Sequence, residues 1–581
     1  MITVRDNAGH EDQCTVHVTL MYQNLTVANK EVSADYVLRT KDLANGVYEV
    51  IGSPVSAAAN LHSPPLTSIE YESSDPSLAT VDENGMVSVV VPSDSSGNLL
   101  TGDAFKNAAN EMFASAMQHP YDLNDDDPAD VTTRQVTITA KAKNASGDVV
   151  MTDTTTVTFN TIFEKMELAE DIQELNVNVK ATNLTKRVYD ITGYTGQMGY
   201  KVNSKTDKNT TAKFELVNPE DAKIITLNSD GTYSLNIPDR ETTQWTGEAF
   251  ENALSDWMKE AMKHPTSSAN PYVTTAKIPI RAVSEYDGLS DSAYIQVNFT
   301  YEQVEMTDHE MDMNITLKAT GNADDPTYQL TGTSASLRGI ISAGSIDNKT
   351  VSFTSGDENI LKVDAAGNVT FNSPYYMDHE HFVEQASDFI KDAMKRPYMP
   401  GTDEYVHEKD VLITVTDQSG QMTDECTVHV KLTFENLTMK KKNVAMDLTL
   451  RAEDLEGKKF SVLGDSVSAA ANLNVNGGGK LKYSVVGRND LVSVDEDVSI
   501  VLPDSMEGDD FLNNANEQLK DVMNHPYNPN DDDPQDIISR EVTIKAENED
   551  GTMYDTCTVK VNLLYEKMQL SPDVQELNVK I

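Results

Sequence analysis

The chain has 581 residues, with 93 acidic and 46 basic side chains and a formal net charge of −47. This charge argues against a protein that binds nucleic acid or anionic membranes, because both partners attract a basic face. The hydrophobic share of 39% is too high for a disordered acidic chain, and no apolar run reaches the roughly 18 residues of a membrane-spanning helix. At roughly 150 residues per domain, the length predicts about four domains.

A repeated segment that begins with Phe and ends with Pro gives the first element of each domain. Its four copies are FKNAANEMFASAMQHP from Phe105, FENALSDWMKEAMKHP from Phe250, FVEQASDFIKDAMKRP from Phe382 and FLNNANEQLKDVMNHP from Phe511. Apolar residues four, eight, eleven and twelve positions after the Phe lie on one face of a helix. The pattern predicts one amphipathic helix of about 14 residues, which ends at the Pro because Pro disfavours helical geometry in the residue before it.

Strands follow each predicted helix. Apolar and polar residues alternate on both sides of a Gly-containing turn in residues 136–159, 278–299, 411–432 and 542–563. An aromatic residue followed by Glu closes each unit, at Phe163-Glu164, Tyr301-Glu302, Phe434-Glu435 and Tyr565-Glu566. About seven short strands per unit, with turns at regular spacing, predict a mainly β protein made of tandem Ig-like β-sandwiches, each with one inserted helix.

These repeats predict the domain boundaries. Residues 22–162, 163–300, 301–433 and 434–564 form four units, residues 1–21 match the C-terminal hairpin of a truncated unit, and residues 565–581 match the first strand of another. SPVSAAANL at Ser53 returns as DSVSAAANL at Asp465, so the fourth unit copies the first. We expect the chain to be a window from a longer array, or alternatively to pair its end strands with neighbouring molecules by strand donation.

The middle of each unit carries a family resemblance. The segment YESSDPSLATVDENGMVSV from Tyr71 has looser copies at 218–231 and 355–367, and a Thr-Val-x-Val closing strand accompanies it. The fourth unit has Asp497 in place of the turn Gly. This pattern resembles the bacterial Ig-like domains of group 2, except that a helix and an acidic loop follow the hairpin. The resemblance implies extracellular or cell-surface bacterial proteins, with roles in spacing, adhesion or filament building and without catalysis.

Two acidic loops are the candidate metal sites. They supply eight carboxylates as possible calcium ligands: Asp125, Asp126, Asp127, Asp130, Asp531, Asp532, Asp533 and Asp536. Clustered carboxylates suit Ca²⁺, which takes six to eight oxygen ligands. The loops lack the Gly and Glu positions of an EF-hand, and a hydrated acidic turn is the alternative.

Histidines and cysteines also recur, with structural explanations favoured. His119, His264, Arg396 and His525 share one position at the helix end. Arg does not bind metal, so a cation near a helix C-terminus is the better interpretation. His379-Glu380-His381 is interpreted as a solvated helix start. Cys14, Cys426 and Cys557 share a strand position, and a buried, inert thiol is favoured over intermolecular disulfides.

No catalytic motif is present, and the repeated positions are apolar, turn-forming or helix-capping. The sequence therefore predicts a non-enzymatic structural or adhesive repeat region, an elongated stalk or spacer at a bacterial surface. Alternatives are a self-assembling filament subunit and the accessory modules of a larger secreted enzyme. The expected partners are neighbouring repeats and other copies of the chain. Carbohydrate binding stays open, with Trp245 and Trp257 as stacking platforms, although Trp257 is predicted on the buried side of its helix.

Overall fold

A computed structural model describes residues 1–63, 66, 68–205, 211–239, 245–266, 272–343, 350–402, 406–487, 490–570 and 576–580. The chain divides into two compact units, Met1–Lys180 with Val188–Glu302 and Ala181–Arg187 with Gln303–Ile581. Below, repeat 1 is residues 22–162, repeat 2 is 163–300, repeat 3 is 301–433 and repeat 4 is 434–564. These limits remain the sequence-based ones.

The chain opens with a hairpin of β1 (Ile2–Arg5) and β2 (Glu11–Cys14). Repeat 1 then contains β3 (Asn24–Val27), β4 (Glu31–Asp42), β5 (Val47–Ile51), β6 (Val55–Ser56), β7 (Ala59–His62), β8 (Ile69–Ser73), β9 (Ala79–Val81), β10 (Met86–Val89), α1 (Gly102–Ala108), α2 (Glu111–Gln118), a 3₁₀ turn (Pro128–Asp130), β11 (Thr132–Lys143) and β12 (Val149–Leu168).

Repeat 2 contains β13 (Ile172–Asn183), β14 (Val188–Thr192), β15 (Thr195–Gln197), β16 (Tyr200–Asn203), β17 (Ala212–Leu216), a 3₁₀ turn (Pro219–Lys223), β18 (Ile225–Leu227), β19 (Thr232–Leu235), β20 (Trp245–Thr246), α3 (Gly247–Ala253), α4 (Asp256–Met262), β21 (Thr274–Ser284) and β22 (Ser290–Met306).

Repeat 3 contains β23 (Glu310–Asn322), β24 (Asp325–Thr331), β25 (Ser334–Ser336), β26 (Gly339–Ser342), β27 (Val351–Ser355), β28 (Leu361–Val363), β29 (Asn368–Phe371), α5 (His379–Gln385), α6 (Asp388–Met394), β30 (Val406–Asp417) and β31 (Thr423–Met439).

Repeat 4 contains β32 (Asn443–Asp454), β33 (Lys459–Leu463), β34 (Val467–Ser468), β35 (Ala471–Asn474), β36 (Leu481–Val486), β37 (Val492–Val494), β38 (Asp497–Ile500), α7 (Gly508–Asn514), α8 (Glu517–Met523), a 3₁₀ turn (Pro534–Asp536), β39 (Ile537–Asn548) and β40 (Met553–Glu566).

One sheet order returns in every repeat. Five strands lie in the order β5-β4-β12-β11-β8 in repeat 1, and the same order is β14-β13-β22-β21-β17, β24-β23-β31-β30-β27 and β33-β32-β40-β39-β36 in the next three. In each, the first long strand runs parallel to the last strand. A three-stranded sheet, β6-β10-β9 in repeat 1, recurs beside it in all four. The predicted class, tandem Ig-like β-sandwiches in a mainly β chain, is confirmed.

Neighbouring repeats share strands. The body of β12 pairs with β11 of repeat 1, and its last residues, Lys165 to Leu168, pair with β16 of repeat 2. In the same way β31 pairs with β30 of repeat 3 and then, through Asn436 to Met439, with β35 of repeat 4. Repeats 1 and 2 therefore share one strand, and so do repeats 3 and 4, so no linker separates the two members of either pair.

The predicted single helix is wrong in every repeat, because two short helices with a break between them replace it. At the break, the residues Asn110, Ser255, Ser387 and Asn516 each accept the backbone N–H of the residue three positions later. Such side chains favour the N-cap position over a helix interior, since they satisfy a free N–H at a helix start. The predicted apolar face persists, and Phe105, Phe113 and Ala116 are fully buried.

An aromatic stack attaches the first helix of each pair to the five-stranded sheet. Phe105 stacks on Tyr48 at a centroid distance of 4.3 Å, Phe382 on Tyr328 at 4.2 Å and Phe511 on Phe460 at 4.5 Å. In repeat 2 the equivalent rings, Phe250 and Tyr189, are 5.6 Å apart.

The predicted mid-unit hairpin is confirmed in all repeats. In repeat 1 the Asp82 carboxylate accepts the N–H groups of Asn84 and Met86 at 2.8 Å, and Gly85 has φ +77°. Only glycine adopts this backbone conformation without strain. In repeat 4 the hairpin forms with Asp497 in place of Gly, because Val494 pairs with Val498 across a shorter turn.

The two end segments differ from the complete repeats. Residues 2–14 form the predicted hairpin, but Ile2 is 54% exposed and Leu20 94%, whereas their counterparts Ile413 and Leu432 in repeat 3 are fully buried. At the other end, β40 stops at Glu566, and residues 567–570 and 576–580 lie outside any strand. The rest of the predicted final strand, 571–575 and 581, lies outside the described residues.

Candidate functional site

The acidic loops turn one carboxylate inward. Asp130 and Asp536 are buried, and each accepts a backbone N–H from the start of its loop, Asp122 at 2.7 Å and Asn528 at 2.9 Å. Asp127 caps the following 3₁₀ turn by accepting the N–H of Ala129 at 2.9 Å, and Asp533 caps its own turn in the same way. These carboxylates therefore hold the shape of the loop.

In the part of the chain that the structure describes, Asp122 of the first acidic loop has a cation as its partner and Asp130 does not. Burial raises the pKa of Asp130, and the neighbouring carboxylates add to this shift. Asp122 is paired with Lys201 of repeat 2 at 2.9 Å, and this hydrogen bond lowers the pKa of Asp122 and raises that of Lys201. Lys201 thus places one cation of repeat 2 against the acidic loop of repeat 1.

Asp125, Asp126, Asp531 and Asp532 are exposed; among them Asp531 accepts the side-chain amide of Asn528 at 2.6 Å, and Asp125 accepts the N–H of Asp127 at 3.4 Å. Across the described ranges, no three His, Cys, Asp or Glu side chains are arranged as a metal-ligand set. Calcium at these two loops stays a prediction.

The histidine positions lie at helix ends. His119 follows α2 directly, and its N–H bonds to the carbonyl of Ala116 at 3.0 Å, while His264 lies 3.7 Å from Glu260, one turn earlier. His379 is the first residue of α5, where Asp378 accepts the N–H of His381 and contacts its Nδ1 at 2.7 Å. The helix-start interpretation of His379-Glu380-His381 is confirmed.

The cysteines are not equivalent, although all three are free. Cys426 and Cys557 are buried as predicted, and burial raises the pKa of the Cys426 thiol to about 11. Such a thiol is inert, because the thiolate is the reactive form. Cys14 is exposed, which corrects the prediction at this position: within the described residues its strand belongs to a sheet of β1 and β2 alone, which leaves the thiol uncovered.

A set of aspartates near the ends of the repeats was missed by the sequence reasoning. We call Asp153, Asp291, Asp424 and Asp555 the junction aspartates. Each accepts the backbone N–H of the last residue of the strand that enters its repeat: Val27 at 2.9 Å, Leu168 at 2.8 Å, Met306 at 2.7 Å and Met439 at 2.6 Å. Their signal in the sequence is an Asp two positions before the Thr, Ala or Cys of the closing strand.

Most junction aspartates have a basic side chain beside them. The residue three positions after the N–H donor is Lys30, His309 or Lys442, and each contacts its aspartate. Repeat 2 is the exception, because Asp171 occupies this position. There the Asp291 carboxylate instead accepts the N–H of Ala44, in repeat 1, at 3.0 Å. Burial raises the pKa of Asp291, in keeping with its shortage of cations.

The closing aromatic-Glu step forms a second contact between repeats 1 and 2. Glu164 is buried, contacts the Arg39 guanidinium at 2.5 Å and accepts the N–H of Lys205, in repeat 2, at 2.8 Å. The carbonyl of Phe163 accepts the N–H of Tyr121, immediately after the helix pair, at 2.8 Å. The step therefore attaches the helix pair, the shared strand and the following repeat to one another.

Repeats 3 and 4 are joined by the same device. Glu435 lies on the shared strand β31, where it pairs with Lys318 of repeat 3; it is buried and accepts the N–H of Asn476, in repeat 4, at 2.8 Å. The N–H groups of Gly321 and Ala323 in repeat 3 bond to carbonyls of repeat 4 at 2.7 and 2.9 Å. The polar residues that recur from repeat to repeat thus serve contacts within and between sandwiches.

The two tryptophans have different environments. Trp245 is 3% exposed, and its indole N–H donates to the carbonyl of Pro238 at 2.9 Å. Trp257 is half-buried and lines a groove beside α4, so the prediction that it belongs to the core is wrong. The corresponding side chains Met112 and Gln518 are fully buried, so the difference belongs to repeat 2 and not to the helix break that the repeats share.

No helix in the described part of the chain is long and apolar enough to span a membrane.

Among known proteins, this chain matches solved structures of low sequence identity. No family model and no curated protein matches the chain. Among solved structures, the extracellular cadherin domains 1–4 of protocadherin gamma B7 are 10% identical over 85% of this chain and 91% of that chain, with a TM-score of 0.32. Drosophila N-cadherin EC1-4 is 11% identical, over 93% and 99%, with a TM-score of 0.24. Titin domains I67-I69 are 8% identical, over 69% and 99%, with a TM-score of 0.22.

Proposed function

We propose that this chain is a non-enzymatic structural or adhesive repeat region of a bacterial surface or secreted protein, and that it acts as a spacer. The observation that carries the proposal is the direct joining of repeat 1 to repeat 2 and of repeat 3 to repeat 4 through shared strands and buried carboxylates. Such joints restrict hinge motion between neighbours. The group 2 Ig-like resemblance of the sequence supports the bacterial, extracellular assignment.

The recurring polar residues support a role without catalysis. The junction aspartates and the closing Glu residues bond to backbone N–H groups and to cations of the protein itself. Catalytic groups would instead face a cleft where a substrate can reach them. The polar residues that recur therefore serve to hold the repeats together, which is what a spacer requires.

Small-angle scattering of the full chain tests the spacer. A compact globule of this length has a radius of gyration of about 25 Å, and we expect a value above about 40 Å for a spacer. A value near that of the globule would contradict the proposal.

Adding calcium in the same experiment tests the acidic loops: a change in scattering that disappears when Asp126 and Asp532 are replaced by Asn would support calcium binding there.

Self-assembly is a second candidate, favoured by the exposed apolar residues of the N-terminal segment. Val4 and Val18 are 67% and 81% exposed, whereas Val415 and Val430 at the same positions of repeat 3 are fully buried. A second chain could cover this face by adding a strand. Sedimentation velocity over a hundredfold range of concentration distinguishes the two candidates, because only the filament subunit forms larger species as its concentration rises.

A further inference from the structure

The groove beside Trp257 in repeat 2 is distinct from the contacts that join the repeats. It has a volume of about 670 Å³, within the roughly 300–1,000 Å³ of small-molecule sites. It lies between the 3₁₀ turn Pro219–Lys223 and the break that separates α3 from α4. Ile237 and Pro238 add apolar lining, and Asn236 adds an amide.

Trp257 is fixed in the wall of the groove. It is the second residue of α4, and its ring meets Phe299 edge-on, at a centroid distance of 5.6 Å and an interplanar angle of 75°. The equivalent side chains Met112 and Gln518 are fully buried, and Phe389 is 9% exposed. Repeat 2 therefore carries a larger ring at this position. The ring stays partly exposed and is fixed by its contact with Phe299.

Charged side chains line the groove together with the indole. Glu220 and Lys223 form an ion pair at 2.6 Å, and Asp256 begins α4 beside Trp257. The carboxylates can accept hydrogen bonds from hydroxyl groups, and the ammonium group can donate one. An aromatic surface flanked by such groups suits a molecule that has one apolar face and a rim of hydroxyls.

The helix break makes room for the groove. In repeat 1 the cap is Asn110, whose amide donates to the carbonyl of Val90 across the break at 2.9 Å, and Asn516 does the same to Val501 at 3.2 Å. In repeat 2 the cap is Ser255, which lacks an amide to reach across. Repeat 3 also has a Ser cap and a groove of about 460 Å³ at the same place, but there the Asp357–Lys409 ion pair and the buried Phe389 line it instead of an indole.

We propose that this groove binds a neutral oligosaccharide, with one pyranose ring stacked on Trp257 and its hydroxyls bonded to Glu220 and Asp256. The net charge of −47 and the two carboxylates disfavour an anionic sugar. This proposal assigns a ligand class to the adhesive part of the proposed function. It does not depend on the spacer role, which the scattering experiment tests separately.

Isothermal titration of the full chain with cellotetraose, maltotetraose, mannotetraose and chitotetraose tests the site. We expect at least one of these to bind with a Kd between about 10 µM and 5 mM, the weak range of a single shallow groove. The same sugar should change the tryptophan fluorescence, and should still do so in the Trp245→Phe variant. Failure of all four sugars to bind would overturn the proposal, as would binding of a hyaluronan tetrasaccharide alone.

Variants taken from the other repeats localise the binding. Trp257→Met introduces the residue that repeat 1 buries at this position, and we expect at least tenfold weaker binding. The Glu220→Gln variant keeps the indole and should weaken binding several-fold. It tests the site independently if the Trp257→Met variant does not fold. Phe389→Leu in repeat 3 is the matched control and should bind as the parent does. Unchanged affinity in both repeat 2 variants would overturn the proposal.

Discussion

At the residue scale, carboxylates placed inside the sandwiches form the most consistent polar feature. Asp424 and Asp555 are fully buried, and each accepts the N–H of the last residue of the strand that enters its repeat. A buried backbone N–H without a partner costs about 1–3 kcal/mol. The junction aspartates remove this cost where a shared strand passes from one repeat to the next.

Replacing Asp555 with Ala should loosen the entrance to repeat 4. The substitution leaves the Met439 N–H without its acceptor and Lys442 without this counter-charge. We expect local destabilisation of about 2 kcal/mol, and therefore about 30-fold faster amide hydrogen exchange in peptides that cover residues 437–444. The exposed Asp504→Ala is the control. Equal exchange in both variants would show that Asp555 has no such role.

Asp291 gives a pH dependence of known sign. Because burial raises its pKa in the folded chain, the folded state binds a proton more tightly than the unfolded state. The contribution of the protonated form is fully present below the ordinary pKa of an aspartate, about 3.9, and is lost as the pH rises from there through the raised pKa of the folded chain. We expect the melting temperature of the parent to fall more steeply than that of Asp291→Asn between about pH 4 and 7. Parallel curves would contradict this assignment, since general charge repulsion is common to both proteins.

At the element scale, the paired helices show what the sequence can and cannot predict. Apolar spacing located the inward face, and the alternation of apolar and polar residues located the closing strands. The break was missed because Asn110 and Ser387 fit a helical pattern by position, while their side chains favour a cap. Turn chemistry at Asp82 and Gly85 is local, so the mid-unit hairpin was predictable.

Replacing the cap residue should cost repeat 1 more stability than repeat 3. Asn110→Ala removes both the cap to Phe113 and the amide bond to Val90, whereas Ser387→Ala removes only the cap to Ile390. We expect losses in the free energy of unfolding of about 2 kcal/mol and about 1 kcal/mol respectively. Scanning calorimetry of the full chain measures both variants. A larger effect of Ser387→Ala would contradict this account of the break.

The site residues were harder to predict than the folds that carry them. Acidic clusters are visible in any sequence, but burial decides which carboxylates shape the loop, and only coordinates show that Asp130 turns inward while Asp126 stays exposed. The junction aspartates depend on contacts between strands far apart in sequence. Trp257 was misplaced because its position does face inward in other repeats, where Met112 and Gln518 are fully buried, whereas the larger indole of repeat 2 stays partly exposed.

At the scale of the whole molecule, charge is the dominant property. A net charge of −47 opposes folding by self-repulsion, which salt screens. The Debye length falls from about 30 Å at 0.01 M to about 8 Å at 0.15 M ionic strength. We therefore expect the melting temperature to rise by several degrees over this range of NaCl. A fall would mean that attractive ion pairs such as Lys201 with Asp122 outweigh the repulsion.

The strands that neighbouring repeats share constrain how such a chain can evolve. Side chains of a strand alternate between its two faces, so one residue inserted between Phe163 and Leu168 would invert every later side chain of β12. Residues that now fill the interior of repeat 2 would face water, although the mutation lies at the edge of repeat 1. Insertions and deletions should therefore be tolerated in the loops. The number of repeats should change by duplication or deletion of whole units, which preserves the alternation of inward and outward side chains along the shared strands.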